Sequence, residues 1–157
     1  MKNVSAKKHL GQHFLTDENI AKKIGESLIH SDQYDNILEV GPGMGVMTKY
    51  ILKKYSSHDF KLIELDKESV DYLSVQFPLL QVYNEDFLKL DFKKVFKGPF
   101  AVIGNYPYNI SSQIVFKVID NREFIPEMSG MFQKEVAERI CEQPGTKSYG
   151  VISVLTQ

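Results

Sequence analysis

Apolar residues follow two rhythms along this chain, short near-continuous runs and stripes spaced three or four apart. The runs are Ile37 to Val40, Phe60 to Asp66, Leu80 to Tyr83, Phe100 to Gly104, Met128 to Phe132 and Tyr149 to Leu155, and they predict six strands. Near-continuous apolar runs predict strands covered on both faces, as in parallel sheets. Between them lie the stripes. Ile20, Ile24 and Leu28 follow the cap Thr16-Asp17-Glu18 and predict a helix to about His30. Met47, Tyr50 and Ile51 predict a helix that begins near Val46 and stops near Tyr55, and Val70 and Leu73 mark the next, ahead of Pro78. Ile114, Val115 and Val118 run along another, with Ser111 or Ser112 placed to cap it, and Glu135 to Ile140 is a short one. Lys89 to Lys97 reads as a charged connector closed by Gly98-Pro99, and Pro144-Gly145 as a turn. Strands alternating with helices imply an α/β fold built on a mostly parallel, doubly wound sheet.

The first run ends in Gly41-Pro42-Gly43-Met44-Gly45. Glycines just after a buried strand let the backbone turn tightly and approach a nucleotide closely. The spacing Gly-x-Gly-x-Gly is one residue shorter than the dinucleotide fingerprint, whose helix N-terminus holds a pyrophosphate. With Glu39 leading in, the loop suits a cationic, phosphate-free ligand, and the adenosine donor S-adenosylmethionine (SAM) fits that description. Glu64 falls about 20 residues beyond the loop, where doubly wound nucleotide folds place a carboxylate to accept from ribose hydroxyls; the plain alternative is an acid that ends a strand. Asp86 follows the third run, and a carboxylate there accepts from an adenine amino group or, equally, caps a turn.

The fourth run leads into Asn105-Tyr106-Pro107-Tyr108, at the edge where open α/β sheets place their chemistry. An adenine amino group is a poor nucleophile because its lone pair is delocalised into the ring. The Asn105 side-chain carbonyl, with the backbone carbonyl of Tyr106 or Pro107, accepts from the two amino hydrogens and turns the lone pair toward a donor methyl. Pro107 fixes the local backbone. Tyr108 is a platform on which a base stacks, with Phe14 a candidate for its other face, and such a base has to be unstacked or flipped out of a helix first.

Composition narrows the field. At 157 residues and 43% hydrophobic content the chain is long enough for one domain with a real core. No apolar run approaches the ~20 residues of a membrane span, and Lys2, Lys7 and Lys8 lead into no signal-peptide core, so a cytoplasmic location with no membrane partner is expected. Cys141 is the single cysteine, which excludes an internal disulfide, and His9 and His13 find no third ligand nearby, so no metal is expected. The net charge of −1 does not advertise nucleic acid; the basic start and the Lys49, Lys53 and Lys54 cluster can each meet phosphates, although solvated lysines are the plainer account.

Lys8 to Leu15, Leu38 to Gly45, Ile63 to Asp66, Glu85-Asp86 and Gly104 to Tyr108 together resemble the KsgA-type ribosomal RNA adenine N6-dimethyltransferases. The resemblance implies a Rossmann-like SAM-dependent methyltransferase fold. It implies SAM held by His13 and Leu15 of a flexible basic arm over residues 1–15, by Gly41 and Gly43, and by Glu64, Asp86 and Asn105. It also implies Asn105, Pro107 and Tyr108 as catalytic residues, and Phe14, Tyr106 and Tyr108 as contacts to the target adenosine. The implied reaction is dimethylation of two adjacent adenosines near the 3′ end of small-subunit ribosomal RNA during ribosome maturation. Alternatives are a macrolide-resistance-type methylase of large-subunit RNA and, from another class, a non-catalytic RNA-binding assembly factor that keeps the donor pocket.

Two positions depart from the family pattern. His13 stands where asparagine is usual, which matters if the donor contact uses the side chain, and Tyr106 stands where leucine or isoleucine is usual, which bears on the pocket wall. Family members continue into a seventh strand and a helical C-terminal domain, so the chain reads as a fragment whose sheet is incomplete at its C-terminal edge. An unpaired edge of that kind predicts self-association, and a fragment without the helical domain is expected to bind SAM while its turnover on ribosomal subunits is weak or absent.

Overall fold

Five strands, β1 (Asn36–Val40), β2 (Asp59–Ile63), β3 (Gln81–Tyr83), β4 (Phe100–Asn105) and β5 (Glu127–Met131), form one sheet in the order β3-β2-β1-β4-β5, every pair parallel. They belong to a computed structural model that describes Lys7 and residues 11–157. Lys2, Lys8 and His9 of the expected basic arm lie outside the described residues. The helices are α1 (Glu18–Gly25), α2 (Thr48–Lys54), α3 (Lys67–Gln76), α4 (Phe92–Val95), α5 (Ser111–Asp120), α6 (Lys134–Ile140) and α7 (Val151–Thr156).

Side chains alternate across each strand and sort the core into two layers. Ile37, Phe60, Leu62, Ala101 and Ile103 face Ala21, Met47, Ile51 and Leu73, from α1 to α3 and the turn before α2. Leu38, Val40, Ile63, Phe100 and Val102 face Phe92, Phe96, Ile114 and Val118, from the α4 and α5 side. The sheet is therefore wound on both faces, as the near-continuous apolar runs require.

Three elements differ from the sequence reading. The run from Tyr149 to Leu155 is not a sixth strand: residues 151–156 form α7, where Ile152 and Ser153 are buried and Val151, Val154 and Leu155 are exposed. Ser153 Oγ donates to the Arg139 carbonyl at 2.6 Å, docking the turn against α6. A short apolar run does not by itself separate strand from helix. Self-association through an unpaired edge would accordingly involve β5.

The first helix stops at Gly25, not near His30. Ser27 Oγ donates to the Ile24 carbonyl at 2.6 Å, and the Glu127 carboxylate of β5 takes the Ile29 and His30 N–H groups at 2.7 and 3.0 Å together with the Tyr34 hydroxyl at 2.6 Å. Those donors are lost to a continuing helix. The charged connector carries a 3-10 turn (Phe87–Lys89) and α4, which send Phe87, Phe92 and Phe96 into the core while their lysines stay outside. No helix among the described residues is long and apolar enough to cross a membrane.

Candidate active site

Register places the site. Val40 pairs with Ile63 and Gly104, and Ile63 with Tyr83, so Gly41, Glu64, Asn84 and Asn105 emerge side by side at the carboxyl edge. The chain winds from β1 out to β3, then returns to lay β4 on the other side of β1. Ligands of open α/β sheets bind at such a switch point. A cleft of about 860 Å³, open mouth included, lies there, lined by Gln12 to Leu15, the glycine loop, Glu39, Glu64, Asp86, Asn105 and Pro107.

The loop works through left-handed backbone. Gly43 has φ +55°, and a methyl there would fall 2.9 Å from the Phe14 ring, so the glycine allows both the turn and the closeness of the arm. Gly43 N–H donates to Glu64 Oε2 at 3.1 Å. Glu64 Oε1 accepts from Asp66 N–H at 2.9 Å and from Gln12 Nε2 at 3.3 Å. Burial pushes the Glu64 carboxyl up, and the Asp66 and Gly43 N–H groups pull it back without cancelling the rise. Asn84 Nδ2 donates to the Glu64 and Leu65 carbonyls, both at 3.0 Å, and holds the strand end in place.

Asp86 lines the cleft and also caps: its Oδ1 accepts from Leu88 N–H at 2.9 Å. Both roles left open by its position are thus compatible with where it sits. Next to Glu64, burial works to raise the Asp66 carboxyl, but Lys7 and the Ser69 hydroxyl and N–H hold it below its ordinary value. Lys7 also reaches Glu68 at 3.4 Å.

Glu39 is 1% exposed and lies on the cleft wall, where the Thr48 hydroxyl donates to its Oε2 at 2.7 Å. Desolvation raises its carboxyl to about 8, against the pull of Thr48 and with a further push from Glu64.

Asn105 Nδ2 donates to the His13 carbonyl at 2.7 Å, while its Oδ1 is buried and has no partner. The contact between arm and Asn105 is made by the His13 backbone, so histidine in place of the usual asparagine leaves it intact. The His13 imidazole stacks on Tyr108, centroids 4.3 Å apart and planes at 22°. Phe14 lies against Gly43, and Leu15 and Pro107 join the wall.

Tyr106 departs from expectation. Its side chain is 1% exposed, donates to the Ser129 carbonyl at 2.6 Å and packs on Phe132. Gly104 and Gly130 make room for the ring; a methyl at Gly130 would fall 2.4 Å from it. A substrate contact by Tyr106 is limited to its backbone, because the larger ring fills core and not the pocket wall.

Sequence reasoning brought Gly41, Gly43, Glu64, Asp86, Asn105 and the arm to one edge. It missed Gln12, Thr48 and Asn84 as supports. Gln12 lies 52 positions from Glu64, and nothing local links them. Asn84, the residue after the third run, was the one a register argument would have found. Among the described residues no three His, Cys, Asp or Glu side chains form a metal-binding group.

Comparison with known proteins gives the family and the fold. Residues 3–157 match the family described as ribosomal RNA adenine dimethylase. The protein named Ribosomal RNA small subunit methyltransferase A from Flavobacterium johnsoniae is 58% identical over 160 residues, covering 100% of this chain and 60% of that one. The protein of the same name from Cytophaga hutchinsonii is 54% identical, covering 100% and 61%. The chain thus spans about 60% of the length of these curated relatives. Among solved structures, a dimethyladenosine transferase from Plasmodium falciparum superposes with a TM-score of 0.73 at 28% identity, over 91% of this chain and 51% of that one. The 23S rRNA methyltransferase ErmE does so at 0.68 and 26%, over 92% and 55%. The fold and its edge cleft define a Rossmann-like methyltransferase domain. The chain belongs to the ribosomal RNA adenine dimethylase family.

Proposed function

We propose that this chain carries the SAM site and catalytic centre for N6,N6-dimethylation of two adjacent adenosines near the 3′ end of small-subunit ribosomal RNA. The observation that carries the reading is the divided Asn105 amide, its nitrogen committed to the His13 carbonyl and its oxygen buried and unpartnered. An unpaired buried acceptor is costly unless a ligand donor fills it. An adenine amino group supplies that donor.

When bound, SAM supplies an electrophilic methyl on a cationic sulfur. Gly41, Gly43, Glu64, Asp86, Asn105 and the His13 backbone would hold it, with Glu64 receiving ribose hydroxyls and Leu15 covering it from the arm, while Phe14, which lies against Gly43, is the candidate for the second face of the target base. Asn105 Oδ1 accepts one amino hydrogen of the target. The Pro107 carbonyl already accepts from Ile110 N–H at 3.2 Å, which favours the Tyr106 carbonyl as the second acceptor. Methyl transfer from a bound SAM to the amino nitrogen would neutralise the sulfur charge and release the amino proton to solvent. No strong base is needed. Tyr108 supplies the stacking face, worth roughly 1–3 kcal/mol in single-strand recognition.

The test is incorporation of labelled methyl into purified small and large ribosomal subunits lacking the modification. Any dimethyladenosine formed is expected in small subunits, at a low rate for these 157 residues, and cut about 100-fold or more by Asn105→Ala, on the scale of losing one transition-state contact. Methyl transfer confined to large subunits would point to the resistance-type activity instead. RNA binding without any incorporation, indifferent to Asn105→Ala, would mark an assembly factor.

A further inference from the structure

His13 touches both ends of the Asn105–Tyr108 segment: its carbonyl accepts from Asn105 Nδ2 at 2.7 Å, and its imidazole lies on the Tyr108 ring at 4.3 Å. A purine that offers its amino group to Asn105 Oδ1 while laying its face on Tyr108 has to enter the space spanned by those two contacts. A flat aromatic heterocycle already stands there. His13 lines the cleft and Tyr108 does not, so the imidazole screens the tyrosine face from the cleft.

The geometry points to His13 as a placeholder for the target base: its imidazole occupies the stacking place on Tyr108 until a splayed-out adenine displaces it. This rests on the reading of Tyr108 as the base platform. The two functions of His13 are separable. The backbone carbonyl orients the Asn105 amide whatever the side chain, and the exposed imidazole can swing away by rotation about its own χ1 without loosening that bond. The competition is graded. An aromatic pair strengthens association about 2- to 10-fold, whereas base–aromatic stacking is worth about 5- to 100-fold. A purine therefore wins the place, and a weakly stacking pyrimidine gains little. His13 then sets a threshold that a base must exceed to reach the catalytic amide.

The experiment uses the chain with its donor cleft saturated by S-adenosylhomocysteine and single-stranded oligoadenylate RNA as the probe. Imidazole protons of His13 are expected upfield in the free chain, under the Tyr108 ring current, and to move toward their positions in Tyr108→Leu as oligoadenylate is added. His13→Ala is expected to bind oligoadenylate about 2- to 10-fold more tightly than wild type, while His13→Phe, which keeps a ring in place, binds no more tightly. An imidazole that stays upfield in the complex, a His13→Ala chain that binds no better than wild type, or one that captures no oligoadenylate at millimolar concentration overturns the proposal. If Tyr108→Leu binds as well as wild type, the platform reading falls too; if it binds weakly while His13→Ala is unchanged, only the placeholder is lost.

Discussion

Glu39 shows how much one position in a strand can carry. The run Ile37 to Val40 is apolar except for this carboxyl, which is met by the Thr48 hydroxyl at the start of α2 and lies within electrostatic reach of the Glu64 carboxyl and the Tyr106 phenol. In the unfolded chain it ionises near 4.5 and in the folded chain near 8. Between those values the native state keeps a proton that the unfolded state has released, so stability falls as pH rises through the window and levels off above it. Glu39→Gln keeps the acceptor for Thr48 and removes the titration. Urea melts are expected to show Glu39→Gln gaining on wild type by a few kcal/mol between about pH 5 and about pH 8. A constant offset across that range would show that Glu39 is not held neutral. Gly43 gives a second residue-scale prediction. Gly43→Ala adds a methyl at φ +55° and 2.9 Å from the Phe14 ring. A loss of about 1–2 kcal/mol is expected from the left-handed backbone, plus a steric part that Phe14→Ala relieves. A double-mutant cycle in which the two changes add without coupling would contradict the contact.

Elements were legible where periodicity and burial agree. β1, β2 and β4 lie in the middle of the sheet, covered on both faces, and their sequences read as apolar runs, broken only at Glu39 and Lys61, for that reason. α7 was misread because Val151 to Leu155 is apolar and partly β-branched, yet its environment is one helix face against α5 and α6, which no local pattern encodes. The connector hid Phe92 and Phe96 among lysines. Both rings pack on Phe100, at 5.1 and 4.2 Å between centroids, making this aromatic group a main support of the α4 and α5 face. Phe100→Ala is expected to cost about 3–5 kcal/mol, measured by urea denaturation; a loss below about 1 kcal/mol would mean the group repacks around the gap. The candidate site was legible for a related reason. Its glycines, Glu64 and Asn105 all sit one step past a readable strand. What the sequence could not show was the contacts between distant segments: Gln12 with Glu64, the His13 carbonyl with Asn105, the imidazole on Tyr108.

Those same contacts organise the whole molecule. Lys7 on Asp66, Gln12 on Glu64 and the His13 carbonyl on Asn105 carry the arm from the end of β2 to the end of β4, across the switch point. The cleft at that edge is therefore walled by the sheet loops and roofed by the arm. Filling it is expected to slow amide hydrogen exchange over residues 11–15, read by mass spectrometry with and without SAM; unchanged exchange would detach the arm from the donor site. Glu64, Asp86 and Asn105 line one cleft, so donor binding is expected of these 157 residues. The most direct measurement of the account is calorimetric titration of SAM into wild type, Glu64→Ala and Asp86→Ala. One SAM per chain is predicted, weakened about tenfold or more in each variant by loss of a charge-assisted acceptor. A folded wild-type chain that binds no SAM, or variants that bind it as wild type does, would contradict a donor site at the carboxyl edge.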